Sequence, residues 1–313
     1  MSSPAAEPVV EEPAPKGTAG DDCTTGYVLG IAAYALWGVI PFYFRLIRTL
    51  PPFEVLAHRA LWSCVVLGLL VVALGRRNAV VAAVKSRRTL LTLIGSTIFI
   101  AINWLTYIYA VATEQILQAG LGYFITPLAN VALGVVLLGE RLRRLQVVAL
   151  VAAASGVVML TLFAGKLPWI ALVLAVSFSL YGLLRKIAQA DAVVGLFVET
   201  ALLTPAALIY LSYLASVGVG TFSMANAPMS KLLMIGGPVT TAPLLCFAAA
   251  ARRLRMTTLG FLQFLAPSIQ TLVAVLAFGE PFTAAHWRSF PLIWLAIALY
   301  LADAVIETHR RRT

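Results

Sequence analysis

The sequence predicts an all-α integral membrane protein of ten transmembrane helices, arranged as two inverted five-helix repeats with both termini inside. Three observations carry that prediction. The 313 residues are 61% hydrophobic and only 12% charged, with a mean hydropathy of +0.92. Soluble domains hold about 45–50% apolar and about 25% charged residues. The apolar residues fall in continuous, non-alternating runs of about 20, enough to cross about 30 Å of hydrocarbon as a helix. Finally, PLANVALGVVLLGE (Pro127 to Glu140) returns as PSIQTLVAVLAFGE (Pro267 to Glu280), 140 residues downstream.

Taken in order, residues 1–24 are rich in Pro, Ala and acid and show no apolar periodicity, so they are expected to form a disordered tail. The tail lacks a basic start followed by an apolar core and is not read as a cleavable signal peptide. Apolar runs between charged breaks place spans near 26–45, 55–74, 90–112, 116–138 and 145–163. A second set follows near 168–184, 193–215, 231–251, 257–278 and 289–306. The implied domains are 25–164 and 165–307, with a basic C-terminal tail at 308–313. In lipid every backbone N–H and C=O needs an internal partner, and continuous runs satisfy that as helices.

Lys and Arg give the direction. With the termini inside, the inner segments hold seventeen of them, and the outer segments hold six: Arg45, Arg48, Arg59, Lys166, Lys231 and Arg288. The net charge of +10 therefore marks membrane orientation and does not point to nucleic acid. Cys23, Cys64 and Cys246 form no CxxC pair and no metal-ligand spacing, so no metal and no cofactor is expected.

At an offset of 140, Gly120, Phe124, Pro127, Val135, Gly139 and Glu140 are all repeated, and Asn130 meets Gln270, an amide for an amide. Five spans is an odd number, so the second copy enters from the opposite side. Inverted repeats build two mirror-like gates around a midplane site in many secondary transporters. The repeated proline fits that use, because a helix kink in a membrane is tolerated where neighbours or a cavity satisfy the freed carbonyl. Tyr123, Pro127, Asn130 and Gly134 share one helical stripe, and Gln263, Pro267, Gln270 and Ala274 form its equivalent. Both stripes are expected to face the bundle centre, with interhelical hydrogen bonding as the alternative use of the amides.

The segments AYALWGVIPFYFR, FEVLAHRALWS, NWLTYIYAV and LGYFITPLANVALGVVLLGERLRRLQ together resemble the RarD family of chloramphenicol-sensitive proteins. These are EamA-type permeases of the drug/metabolite transporter superfamily. The resemblance covers about residues 26–305 and is more specific in the first half; in the second, LFVETALLTP and the Pro–Gly-Glu frame carry it. It implies a ten-helix permease with two EamA modules around a central substrate cavity in the bacterial inner membrane, and it names no substrate.

Several side chains are candidates for transport. Charges inside the bilayer are costly and are functional hypotheses by default. Glu199, about two turns into the seventh span, is a candidate proton or cation site, with a structural ion pair as the equal alternative. His58 and Arg59 are candidates for receiving a carboxylate or phosphate. The alternative there is a Glu54–His58 pair with Arg59 snorkelling to the interface. Trp37, Asn103, Tyr107, Tyr123, Asn130, Tyr181, Gln263 and Gln270 are expected to line the cavity, where rings supply contact and amides fix orientation. Trp104 and Ser177 are similar candidates, and core packing is the competing use of any such aromatic stripe. Pro127 and Pro267 are read as helix kinks, and Glu140 and Glu280 as structural loop anchors. Ala149, Ala152 and Gly156 form a small-residue stripe that serves either inner packing or a partner, which leaves monomer and homodimer open.

The function expected from these features is a secondary transporter exporting small metabolites or amphipathic compounds by alternating access. Proton coupling through Glu199 and uncoupled facilitation both fit. There is no GxxxxGK[ST] loop for ATP, no HExxH and no GxSxG, so an intramembrane enzyme is a distant alternative and a passive channel the nearer one.

Overall fold

The computed structural model of the protein describes residues 19–113, 116–164, 169–279 and 284–310. All regular structure among the described residues is helical. The first half holds α1 (Ala19–Leu46), α2 (Pro52–Ala73), α3 (Arg77–Lys85), α4 (Arg87–Ala112), α5 (Ile116–Leu138) and α6 (Arg144–Ala164). The second holds α7 (Trp169–Ile187), α8 (Ala192–Ser216), α9 (Ala227–Arg253), α10 (Met256–Gln263), α11 (Leu265–Phe278) and α12 (Ala284–Arg310).

Among the described residues, eight stretches are long and apolar enough to cross a membrane: α1 from Asp22, α2, α4 to Ala110, α5 from Leu121, α7, α8, Met224–Arg253 and Met256–Phe278. Helices α6 and α12 carry shorter apolar stretches, Arg144–Met159 and Phe290–Asp303. The outside of the bundle is apolar: Val136, Leu162, Ile209 and Leu276 are largely exposed. Arg185, Glu199, Ser96 and Asn130, by contrast, are buried. That is the reverse of a water-soluble protein and what a hydrocarbon solvent selects.

Three features depart from the sequence expectation. Helix α1 begins at Ala19, inside the segment expected to be disordered, while residues 1–18 lie outside the described residues. Asp22 in its first turns receives Arg253 Nε at 2.8 Å, a tie to α9 that gives these turns a partner. At the other terminus α12 runs on to Arg310, into the stretch expected to be a tail. The third departure is α3, nine residues in what was read as a basic break. It is too short to span, but Ala83 is buried and Ala79 and Val80 pack with Leu93, Val194 and Val198, so it lies as an amphipathic helix over α4 and α8.

Packing between the halves is matched. Helix α1 packs on α9 as α7 packs on α4, α2 packs on α9 as α8 packs on α4, and α5 packs on α7 as α11 packs on α1. Helices α2 and α8, α5 and α10, and α6 and α12 meet each other across the two halves. Ala149 and Ala153 of α6 have no exposed surface and sit in a cluster with Phe290, Ile293 and Ala296 of α12, so this side of the small-residue stripe is used for packing inside the chain.

Candidate functional site

The elements α10 and α11 make up the expected ninth span, and they are broken at Phe264. Pro267 explains the break: it has no N–H to give to the carbonyl of Gln263, four residues back. The chain instead closes shorter turns, with Phe264 N–H donating to Phe261 O at 3.3 Å. Helix α5, held between α7 and α10, runs through Pro127 without a break. Only one of the two repeated prolines therefore interrupts its helix, and the interruption borders a cavity.

That cavity encloses about 120 Å³ between α1, α2, α4, α5, α7, α9, α10 and α11. Trp37, Asn103, Tyr107, Tyr123, Gln263 and Gln270 line it, as do Pro267 and Arg59. Asn103 Nδ2 donates to Leu174 O at 2.9 Å and Ser177 Oγ at 3.1 Å. Gln270 Nε2 donates to Trp37 O at 3.0 Å. Each amide thus spends donors on the scaffold, which fixes its orientation at the wall. Asn130 stands one layer behind, donating to Gln263 Oε1 at 2.5 Å and joining α5 to α10. The two stripes do converge, but Asn130 meets Gln263 rather than the cavity, and Pro127 does not line it either.

Tyr181 also lies outside the cavity wall. It is fully buried in an aromatic cluster with Phe178 and Phe247, and its hydroxyl donates to Glu199 Oε2 at 3.4 Å. Glu199 itself sits away from the cavity. It accepts from Ser96 Oγ at 2.5 Å and faces Arg185 Nη1 at 3.6 Å, with both side chains buried. Arg185 follows directly on the stretch 168–184 expected to span, so charge counting places it in a loop; the signal for its role is that a carboxylate within a span needs a partner, and Arg185 lies one hairpin turn away.

At the N-terminal end of α2 the Glu54–His58 pair is absent. Glu54 is held by Thr221, accepting from its N–H at 2.6 Å and its hydroxyl at 2.9 Å. His58 packs its ring on Phe222 at 4.9 Å, and neither ring nitrogen has a hydrogen-bond partner. Arg59 does not snorkel. Its Nε donates to Thr240 Oγ1 at 2.8 Å, and its guanidinium carbon lies 5.4 Å from the ring centres of both Phe44 and Trp104.

The two ends of the cavity differ. At one end Ile40, Phe44, Tyr107, Tyr123 and Gln270 are shared with a wider vestibule of about 500 Å³ that also presents Arg45 and Arg48. At the other, side chains tie the halves together. Gly139, with φ of +65°, turns the chain after α5 as a left-handed helix cap, and Glu140 folds back. Its carboxylate accepts from Met256 N–H at 2.8 Å and Thr257 N–H at 2.9 Å, capping α10 where the helix dipole favours an anion. Arg255 Nε approaches the same carboxylate at 3.7 Å, and Lys186 donates to Leu254 O. Glu140 is therefore an anchor between the halves. Gly279 repeats the left-handed cap with φ of +70°, while Glu280 lies outside the described residues.

A bundle of lipid-facing helices around a chambered interior is the architecture of a multi-pass membrane transporter. Residues 24–162 match the EamA-like transporter family. The chain is 43% identical to Protein RarD of Escherichia coli over 288 residues, 91% of this chain and 96% of that one. It is 42% identical to an uncharacterized transporter of Vibrio cholerae, over 93% and 96% of the two chains. A chloramphenicol-sensitive protein RarD of Pseudomonas aeruginosa is 33% identical over 88% and 92%. A protein of known crystal structure, 22% identical, shares the fold with a TM-score of 0.68 over 88% of this chain and 96% of its own. The chain belongs to the RarD group of EamA-like transporters, whose bacterial members place it in the inner membrane.

Proposed function

We propose that the protein is a secondary carrier that moves small metabolites or amphipathic compounds outward by alternating access. In this reading the halves 25–164 and 165–307 are inverted five-helix repeats, α6 and α12 also span the membrane, and both termini are cytoplasmic. The observation that carries the reading is the asymmetry of the cavity, which opens through a vestibule at the Arg45 end and is tied shut at the Glu140 end. The matched packing of the halves supports it, since exchanging their roles generates the opposite state at similar energy. Glu199, paired outside the cavity, is assigned to holding α4, α7 and α8 together rather than to proton coupling.

Counterflow tests the proposal. Proteoliposomes holding the purified full chain are loaded with one class of unlabelled metabolite and offered a trace of the labelled compound. Transient accumulation above equilibrium is expected for a carrier. Leak without accumulation for every class would replace the carrier with a channel.

A further inference from the structure

The cavity has a polarity that its family membership does not supply. Among the described residues Arg59 is the single charged side chain that lines the cavity, and it pairs with no carboxylate: Nε is spent on Thr240, and the ring centres of Phe44 and Trp104 each lie 5.4 Å from the guanidinium carbon. Among the described residues no acidic side chain lines the vestibule either, where Arg45 and Arg48 face the approach. A guanidinium with its terminal nitrogens uncommitted, inside an aromatic chamber, is costly to keep without a counter-charge. Arg presents those nitrogens as a planar fork that matches a carboxylate in bidentate geometry. We infer that the counter-charge is the substrate, and that the cavity selects small organic anions bearing a carboxylate on an apolar or aromatic body.

The remaining wall fits that class. Trp37, Phe178 and Leu244 supply apolar contact for the body. A free ammonium group would meet no carboxylate among the described residues of the cavity or its vestibule, so an amine pays desolvation without recovery. The vestibule arginines add a local positive field that raises the concentration of anions at the mouth and weakens with salt. This assignment rests on the carrier reading above, because it takes the cavity to be the transport site.

The test uses matched probes on the purified full chain: phenylacetate, 3-phenylpropionate and 4-methylpentanoate, each with its neutral amide and its amine. Binding is followed by tryptophan fluorescence, and transport by counterflow with the labelled acid, amide and amine. Each acid that binds is expected to do so at least about tenfold more tightly than its amide, the worth of one charge-assisted contact. Arg59→Gln is expected to bring acid and amide to the same affinity, and Arg59→Lys to keep part of the difference. Should Arg59→Gln fail to fold, acid-over-amide selectivity and its loss at high salt in the unaltered protein decide the matter. Counterflow of amides or amines in preference to acids would overturn the anion assignment while leaving the carrier intact. Absence of binding and counterflow for every probe would overturn the anion assignment, and a leak with no counterflow would remove the carrier reading with it.

Discussion

Replacing Glu199 by Gln isolates what the buried pair contributes. Arg185 has no exposed surface; its Nη2 donates to Asp191 O at 3.3 Å and Ala192 O at 3.4 Å, and Nη1 lies 3.6 Å from Glu199 Oε1. Gln can keep partners for Ser96 and Tyr181, so the change removes chiefly the charge that compensates Arg185. Breaking a buried pair from one side costs about 3–5 kcal/mol, since the other charge is left uncompensated. The two carbonyls still solvate the guanidinium in part, which places Glu199→Gln near about 3 kcal/mol. The double change Arg185→Met with Glu199→Gln is expected to recover most of that loss, because neither charge then remains. Gly195 offers an independent route to the same pair: a Cβ there would lie 1.8 Å from Arg185 Nη1, so Gly195→Ala must drive the guanidinium off Glu199. Unfolding in mixed micelles, followed by tryptophan fluorescence, measures all three. Glu199→Gln as stable as the parent, or a double variant no better than the single, would refute the argument that the pair is a mutual compensation of buried charge.

Two further outcomes follow from the contacts between halves. Glu140→Gln keeps an acceptor for α10 but removes its charge, and is expected to raise thiol labelling of a cysteine placed at Thr257, in a background without Cys23, Cys64 and Cys246, by about tenfold, the worth of a hydrogen bond to a charged group. Unchanged labelling would mean the latch is not what keeps that end closed. At Gly260 a Cβ would meet Pro127 O at 2.6 Å, a backbone atom that cannot turn aside, so Gly260→Ala is expected to separate α5 from α10 and cost about 1–3 kcal/mol in the same unfolding assay. A neutral result there would show that the two helices slide freely.

Much of the scaffold was readable because lipid demands it. Long apolar runs have few alternatives: eight stretches of the described residues are long and apolar enough to cross a membrane, those of α6 and α12 are shorter, and boundaries shift where a partner such as Arg253 stabilises extra turns. The cavity wall was readable where polar residues recur on a helical stripe, as with Tyr123, Gln263 and Gln270. What the pattern could not carry is which neighbour a polar group meets. Asn130 and Gln263 lie on equivalent stripes, yet they hydrogen-bond to each other. Arg185 was hidden for the same reason: charge counts assign Arg to loops, and only the fold shows this one turned into a core. Arg59 stood out in the sequence as a candidate partner for an anion, and the fold shows that it lines the chamber. Helix α3 was masked by its flanking basic residues. The different fates of Pro127 and Pro267 depend on packing around each helix, which no local motif records.

The break at Phe264 divides the span into parts of unequal mobility. All eight residues of α10 are buried and its start is clamped by Glu140, whereas in α11 burial stops after Ala266, Pro267 and Ser268. Tilting α10 would strip core contacts along its whole length, whereas beyond Ser268 α11 is only half-buried or exposed and is held chiefly against α1, with Gln270 donating to Trp37 O. One span thus joins a fully buried segment to a more loosely held one, with the joint at the wall of the cavity, beside Pro267.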